Sequence, residues 1–359
     1  MSDSSNKIHF LVGDLGEIKL RGTIIAHDLT TGQYTRTHHE LDVPTVTISD
    51  QSELVRIFRQ FKSTASRMIR APISVFALGI AGPVEDNHFD AGANLPAGLV
   101  GLRGQDLAKR LGCARGFLLN DCLATGEGIE SLGPEDLVQL NPEVPCTLGN
   151  RCVAGAGTGL GLARIRYERR QSEYIADPSE LCHSDFGPNG AEQRRLLEYL
   201  SQSYGHVSWD RVVSGPGIEQ IFRFLHQERT QQKGTPDLAI FSRVYESDNR
   251  PATIAEFALG GEALCCEVMR IFVECYAAVT ANLSLDNLSK GAYLSGGIAP
   301  QIEPLIRKWF MPAFVQKGRL GLGGSNPILT RIPVFLIRSV DTALYGAAHY
   351  AMRELNTPS

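Results

Sequence analysis

The feature that most restricts the fold of this chain is a hairpin pattern that occurs twice. Residues 10–21, FLVGDLGEIKLR, run from an apolar strand through a Gly/Asp turn into a second strand. Residues 152–165, CVAGAGTGLGLARI, repeat that order about 140 residues later. Each hairpin would begin a domain. The repetition therefore predicts two related α/β halves that face each other across a cleft, with the chain crossing near residue 120.

The rest of the chain alternates between strand and helix patterns. Apolar runs bounded by Gly, Pro or Asp predict further strands at ISVFALGIAGPV, GFLLND, GAYLSGGI and IPVFLIR. Helical periodicity predicts helices at 51–69, 104–112, 189–203, 215–227 and 262–288. Such alternation predicts an α/β protein with mixed sheets, and 359 residues are long for a single hydrophobic core.

Composition narrows the possible partners and the compartment. The net charge of −4 shows no basic bias toward polyanions, so nucleic acid is not expected as a partner. Because no apolar run reaches about 18 residues and the first ten residues lack the build of a signal peptide, we expect no membrane partner and a cytoplasmic location. The eight cysteines include no CxxC pair, which predicts reduced core cysteines without a metal.

Two glycine-rich turns offer bare backbone. Gly157 and Gly159 leave one edge of the second hairpin without side chains, so backbone amides there could approach phosphate oxygens. Gly296 and Gly297 end a strand in the same way and would admit a flat ring or a phosphate. Each turn could equally serve only tight packing or an ordinary strand-to-helix connection.

Polar side chains that could bind or activate a hydroxyl follow predicted strands and loops. Asp121 comes directly after the strand GFLLN, at the strand end where open α/β sheets bind ligands, with the amide of Asn120 beside it. Asp121 could instead simply cap the following helix. Glu180 and His183 lie three residues apart in one polar loop and Asp210 comes from a second loop, which would suit a polyhydroxylated ligand. A solvated loop and a helix cap are the alternatives.

Five segments in this order resemble the bacterial-type glucokinases of the hexokinase–actin superfamily. They are LLNDCLATGEGI, GAGTGLGLA, SDFGPN, GHVSWDRVVSGPGIEQIFRFL and LSGGIAP. The resemblance implies two actin-like (ribonuclease H-like) α/β domains with mixed sheets around a central cleft. Residues 1–119 with about 339–359 would form a small domain, and 120–338 a large one. It also implies a homodimer that transfers the γ-phosphoryl group of ATP, with Mg²⁺, to the 6-hydroxyl of glucose in the first step of glycolysis.

The resemblance also implies roles for individual residues. Asp121 falls where the family has its catalytic base, with Asn120 beside it on the sugar. Glu180 and His183 match the Glu-Gly-Gly-His glucose loop, here Glu-Leu-Cys-His, and Asp210 stands where the family usually has Glu. Asn94 matches a further sugar contact, although Ala97 replaces the family's Trp. The nucleotide would be held by Asp14, Gly16, Gly157, Thr158, Gly159, Gly296 and Gly297. No structural metal is implied, because the cysteine cluster of the zinc-bearing relatives is missing.

The first phosphate turn departs from the family pattern Asp-x-Gly-Gly-Thr-Asn. Glu17 and Ile18 replace Gly and Thr, and unit charges about 4 Å apart repel by about 4 kcal/mol at an effective dielectric near 20. Two compensations are open: Lys19 supplies a cation, or Glu17 turns outward or joins the Mg²⁺ shell. Three functions therefore stay open: a glucose kinase of normal or reduced activity; a non-catalytic relative that binds sugar, nucleotide or a protein partner; and a kinase for another hexose.

Overall fold

The computed structural model describes residues 6–90, 95–233, 238–317 and 326–357. Strands are numbered in chain order: β1 (Lys7–Leu15), β2 (Lys19–Asp28), β3 (Tyr34–Pro44), β4 (Ile73–Ile80), β5 (His88–Phe89), β6 (Leu102–Arg103), β7 (Arg115–Asn120), β8 (Leu137–Gln139), β9 (Arg151–Ala156), β10 (Leu160–Glu168), β11 (Glu173–Ser179), β12 (Ala292–Ser295) and β13 (Val334–Ile337).

The α-helices are numbered in the same way: α1 (Gln51–Ile69), α2 (Gly104–Leu111), α3 (Asp121–Gly128), α4 (Gly190–Ser201), α5 (Gly215–Lys233), α6 (Leu238–Tyr245), α7 (Arg250–Leu259), α8 (Ala263–Asp286), α9 (Glu303–Val315) and α10 (Thr342–Asn356). The five predicted helices correspond to α1, α2, α4, α5 and α8. No helix in the described parts of the chain is both long and apolar enough to cross a membrane.

The two main sheets repeat one strand order. The first runs β3-β2-β1-β4-β7 and the second β11-β10-β9-β12-β13-β8. In each, the first three strands are antiparallel neighbours and the next two join in parallel, while β8 adds an antiparallel edge to the second sheet. The repeated order confirms the prediction of two related α/β halves.

The chain divides into two compact units. The first comprises Met1–Gly133 and Ser339–Ser359, and the second comprises Pro134–Arg338. The sequence-based boundary put residues 120–133 in the second domain, whereas here they lie in the first unit. The physical reason is that α3 packs against α10, so the segment after β7 stays with the first sheet.

The first unit is built around the packing of α1 on the sheet. Asp50 caps α1, since its Oδ1 accepts hydrogen bonds from Ser52 N (2.7 Å) and Glu53 N (2.9 Å). Phe58 of α1 meets Phe76 of β4 edge to face at 5.1 Å. A Cβ at Gly13 of β1 would lie 2.6 Å from the Phe58 ring, so the strand passes beneath α1 only because it has no side chain there.

In the second unit the long helix α8 is buried on almost all sides. The Tyr276 hydroxyl of α8 donates to Ala154 O (2.5 Å) of β9 and lies 3.2 Å from Ser295 O at the end of β12. These bonds fix the helix to the strand ends that lead into the glycine turns. Cys152, Cys265 and Cys275 are buried in this core. None of the eight cysteines, all of which lie in the described residues, forms a disulfide, and Cys146 is exposed rather than part of a core.

A buried ion pair holds α3 against α10. The Glu127 carboxylate is inaccessible to solvent; it accepts a hydrogen bond from His349 Nδ1 (2.9 Å) and two from Arg353 Nη1 (2.6 and 2.7 Å). Burial alone would raise the pKa of Glu127, but the hydrogen bond from His349 and the charge of Arg353 outweigh it and hold the pKa below its ordinary value of 4.5.

We expect Glu127→Ala to destabilise the first unit by about 3–5 kcal/mol, because it leaves Arg353 partly buried without its partner. Hydrogen exchange measured by mass spectrometry should show faster exchange in α3 and α10. The pKa of Glu127 is lower in the folded than in the unfolded chain, so its ion pair stabilises the fold fully at pH values above the unfolded pKa of about 4.5. The difference in stability between wild type and Glu127→Ala should therefore shrink as the pH falls below that value.

Glu53→Ala is the matched control, because Glu53 pairs with an exposed Arg56 on α1 and the loss of such a surface pair should change stability only slightly. Trp209 and Trp309 both lie in the second unit, so tryptophan fluorescence should report the same second-unit unfolding in every variant. Unchanged exchange in α3 and α10 of Glu127→Ala would contradict the role given to this ion pair.

Candidate active site

The end of β7 presents Asn120 and Asp121 at the start of α3. Asn120, rather than Asp121, caps the helix: its Oδ1 accepts hydrogen bonds from Cys122 N (2.9 Å) and Leu123 N (3.1 Å). Its Nδ2 donates to Gly82 O (3.0 Å), which uses one of its two amide hydrogens. Capping by Asn120 leaves Asp121 as the first residue of α3.

Asp121 carries the clearest electrostatic perturbation of the first unit. Burial, then the nearby Asp14 carboxylate and to a smaller extent Glu17, raise the pKa of Asp121 to about 7, although the N–H of Cys122 favours the charged form. Cys122 N donates to Asp121 Oδ1 at 2.8 Å. A carboxyl group with such a pKa exchanges its proton near neutral pH, as a general base must.

The first hairpin turn is held by hydrogen bonds around Gly16. Gly16 N donates to Lys19 O (3.0 Å), and the hydroxyl of Thr45 donates to Gly16 O (2.7 Å). Asp14, one strand position before Leu15, accepts a hydrogen bond from Arg21 Nη2 at 2.8 Å. These hydrogen bonds close the turn between β1 and β2.

The side chains of this turn point in different directions. Lys19 forms an exposed ion pair with Asp42 at 2.8 Å, and the side chain of Ile18 lies 69% exposed. The charge of Glu17 instead acts on Asp121. In this structure Lys19 pairs with Asp42, so its charge is not the compensating cation for phosphate that the sequence left open.

Asp341, which sequence reasoning did not select, joins this network from the other end of the chain. It directly precedes α10, accepts a hydrogen bond from Arg36, and lies 3.7 Å from Arg21 Nη1. Arg21 thus links Asp341 to Asp14. Only the expected return of the C-terminal segment to the first domain could have indicated a contact between residues more than 300 positions apart.

In the second unit, the turn between β9 and β10 is closed by backbone hydrogen bonds. Gly157 N donates to Gly159 O (2.8 Å), and Gly157 O accepts from Gly215 N at the start of α5 (2.8 Å). Thr158 stands exposed at the tip. The predicted phosphate turn is a short loop with its tip in solvent.

The second glycine turn follows β12 and lies beside the first. Gly296 has φ +85°, and a Cβ there would lie 2.2 Å from Ala156 O of β9. Ile298 N donates to the same oxygen at 3.2 Å, whereas a Cβ at Gly297 would meet open space. Glycine at 296 is therefore a steric requirement, and the backbone at 297 stays accessible.

The loop after β11 brings Glu180 and His183 together. His183 Nε2 lies 3.4 Å from Glu180 Oε2, and both side chains are more than half exposed. Between them Cys182 is buried, and this burial, followed by the charges of Glu180 and Asp210, raises the pKa of its thiol to about 12. The thiol therefore stays protonated near neutral pH, while the carboxylate and the imidazole face solvent.

Asp210 connects this loop to the phosphate turn. Its backbone N–H donates to Cys182 O (3.0 Å), and its carboxylate Oδ1 accepts a hydrogen bond from Leu160 N (2.8 Å), directly after Gly159. A Cβ at Gly159 would lie only 3.1 Å from that oxygen. Of the predicted sugar residues, Asn94 lies outside the described residues.

Comparisons with known proteins identify relatives along the whole chain. The sequence model of the Glucokinase family matches residues 11–354. The glucokinase of Synechocystis is 34% identical over 366 residues, which cover 95% of this chain and 97% of that protein.

Solved structures share the fold. A glucokinase from an Antarctic psychrotroph superposes with a TM-score of 0.74 at 21% identity, covering 96% of this chain and 99% of that one. The glucokinase of Balamuthia mandrillaris, in complex with glucose, superposes with a TM-score of 0.73 at 19% identity, covering 98% of this chain and 95% of that one.

We expect Asp210→Ala to loosen the β9–β10 turn, because Leu160 N loses a hydrogen bond to a charged acceptor worth about 1.5–3 kcal/mol. Amide exchange in peptides that contain Leu160 should accelerate by about tenfold or more. Asp185→Ala is the control, since that exposed carboxylate contacts His206. Equal exchange in the two variants would show that Asp210 does not hold the turn.

Proposed function

The chain belongs to the glucokinase family and is an ATP-dependent hexose phosphotransferase that acts on glucose, and we propose that Asp121 is its general base. The observation that carries the assignment is the position of this carboxyl group at the end of β7, together with a pKa raised to about 7. Asp121 would accept the proton of the sugar 6-hydroxyl as the hydroxyl oxygen attacks the γ-phosphorus.

The glycine turns supply the proposed nucleotide contacts. Gly157, Thr158 and Gly159 would hold phosphate oxygens through their backbone, while Gly296 and Gly297 would lie against the adenosine. Support comes from the steric requirement for glycine at 296 and the accessible backbone at 297. Backbone N–H groups in such turns form favourable sites for anions.

Asp14 and Gly16 are the proposed nucleotide contacts of the first unit, together with Mg²⁺. The carboxylate of Asp14 fits Mg²⁺ as a hard oxygen donor, and its charge acts on Asp121. When bound, Mg²⁺ neutralises phosphate charge. Arg21 would keep the Asp14 carboxylate in place through their 2.8 Å hydrogen bond.

Glu180, His183 and Asp210 are the proposed sugar contacts in the second unit, with Asn94 and Asn120 as further contacts implied by the family resemblance. Glu180 and His183 expose an acceptor and an imidazole to solvent, which suits neighbouring hydroxyl groups. The second amide hydrogen of Asn120 would serve a hydroxyl next to Asp121. The family resemblance also supports a homodimer and a cytoplasmic location for this chain.

We expect Asp121→Asn to lower kcat by about 10²–10⁴-fold, because the variant has no base but keeps the shape of the side chain. A coupled assay of ADP release with glucose measures turnover. Glucose should still raise the Tm of the variant, since most sugar contacts remain.

Asp106→Asn, on the exposed side of α2 in the same unit, is the control and should turn over like wild type. Wild-type kcat in Asp121→Asn would overturn the assignment of the base. Stabilisation of the wild-type chain by glucose without any ADP release is the result expected of a non-catalytic relative.

We expect Glu17→Gln to move the acid limb of the kcat/KM profile to lower pH. The negative charge of Glu17 disfavours ionised Asp121 and so raises its pKa, and removal of that charge lowers the pKa. More of the base is then ionised at pH 6, and the variant should gain activity there relative to wild type. Steady-state rates between pH 5 and 9 test this with Glu53→Gln, on α1, as the control; an unmoved acid limb would contradict the coupling.

A further inference from the structure

Three side chains with metal-binding atoms lie together on the loop after β11. The ligand atoms of Glu180, Cys182 and His183 are all within 4.8 Å of one another. Glu180 Oε2 lies 3.4 Å from His183 Nε2 and 3.9 Å from Cys182 Sγ. The cluster combines an oxygen, a sulfur and a nitrogen donor within a segment of four residues, 180–183.

The oxygen–nitrogen and oxygen–sulfur distances are close to the edges of a tetrahedral zinc site, and the sulfur–nitrogen distance is no more than 4.8 Å. Bond lengths of about 2.3 Å to sulfur and about 2.0–2.1 Å to nitrogen and oxygen give ligand-to-ligand edges of about 3.3–3.6 Å. The oxygen–nitrogen distance already lies in that range. The oxygen–sulfur distance needs to shorten by only about 0.3–0.4 Å, which the exposed Glu180 side chain can achieve by rotation.

We propose that Glu180, Cys182 and His183 form a binding site for Zn²⁺, and that the bound ion blocks access of the sugar to the same loop. A thiolate with an imidazole favours Zn²⁺ over Mg²⁺, which prefers oxygen ligands in octahedral geometry. The Mg²⁺ that accompanies ATP would therefore leave the site open. On zinc binding, the Cys182 thiol gives its proton to the buffer and the fourth position is left for water.

The backbone around the cluster holds the thiol in place. Residues Leu181–His183 form a 3₁₀ turn in which His183 N donates to Glu180 O (3.0 Å). Cys182 O accepts from Asp210 N (3.0 Å), which joins the turn to the segment before α5. Cys182 is thus a fixed ligand, and the exposed side chains on either side of it close around the ion.

Competition with sugar rests on the proposed function, because it requires Glu180 and His183 to be the sugar contacts. Metal binding by itself does not depend on the proposed function. The two parts therefore need separate measurements, one of the metal alone and one of glucose binding without nucleotide, since ATP would chelate zinc.

The first experiment titrates the metal-free full chain with Co²⁺ as a spectroscopic probe for the zinc site. Wild type should develop a thiolate-to-cobalt charge-transfer band at one equivalent, and added Zn²⁺ should remove it. Cys182→Ser and His183→Ala should each weaken binding by about tenfold or more. Cys146→Ser is the matched control, because Cys146 is an exposed free thiol outside the cluster and its loss should leave the band unchanged.

A band that persists in Cys182→Ser, or that disappears in Cys146→Ser, would overturn the site. Both results would concern metal binding alone. The proposed function would stand, because it is tested separately by turnover of glucose and ATP.

The second experiment measures glucose binding by calorimetry with and without one equivalent of Zn²⁺. Zinc should weaken glucose binding to wild type by about tenfold or more, and should have little effect on Cys182→Ser, which keeps Glu180 and His183. His206→Ala should behave like wild type, because the exposed pair of His206 with Asp185 at 2.8 Å has no thiol. Equal glucose affinity with and without zinc in wild type would overturn the competition, even if the cobalt band is present.

Discussion

The parallel pairing of strands in each sheet is the constraint on which the rest of the structure depends. In the first unit the register aligns Leu15 of β1 with Ile80 of β4, and Ile80 with Asn120 of β7. The carboxyl ends of these strands therefore meet at one edge, which brings the Asp14 turn close to Asp121. In the second unit Gly155 of β9 pairs with Ser295 of β12, so the glycine turns that follow these two strands lie next to each other.

This edge of the first unit concentrates negative charge. Asp14 and Glu17 both oppose ionisation of Asp121, and they do so where burial already weakens solvation. Arg21 forms an ion pair with Asp14 and so offsets part of this negative charge. Arg21 also lies near Asp341, and Asp341 forms a further ion pair with Arg36. Burial first, and then the charges of Asp14 and Glu17, thus raise the pKa of Asp121 to about 7.

The sequence was informative where local physics decides the structure. Helix α1 has an Asp cap and an apolar stripe, and the strands of the sheet interiors are continuous apolar runs, so both were predictable. Strands β3 and β11 were missed because both are edge strands rich in polar residues. Asp341 and the bond from Asp210 to Leu160 depend on tertiary contacts that no local pattern encodes.

Asp210 joins two loops of the second unit through its side chain and its backbone. Its carboxylate accepts a hydrogen bond from the backbone of Leu160, at the base of the β9–β10 turn. Its own backbone meanwhile holds the loop of Glu180 and His183 through Cys182 O. Asp210 therefore makes a hydrogen bond to each of the two loops, one through its backbone and one through its side chain. Within the second unit, the groups proposed for the sugar and those proposed for the phosphates form one connected structure.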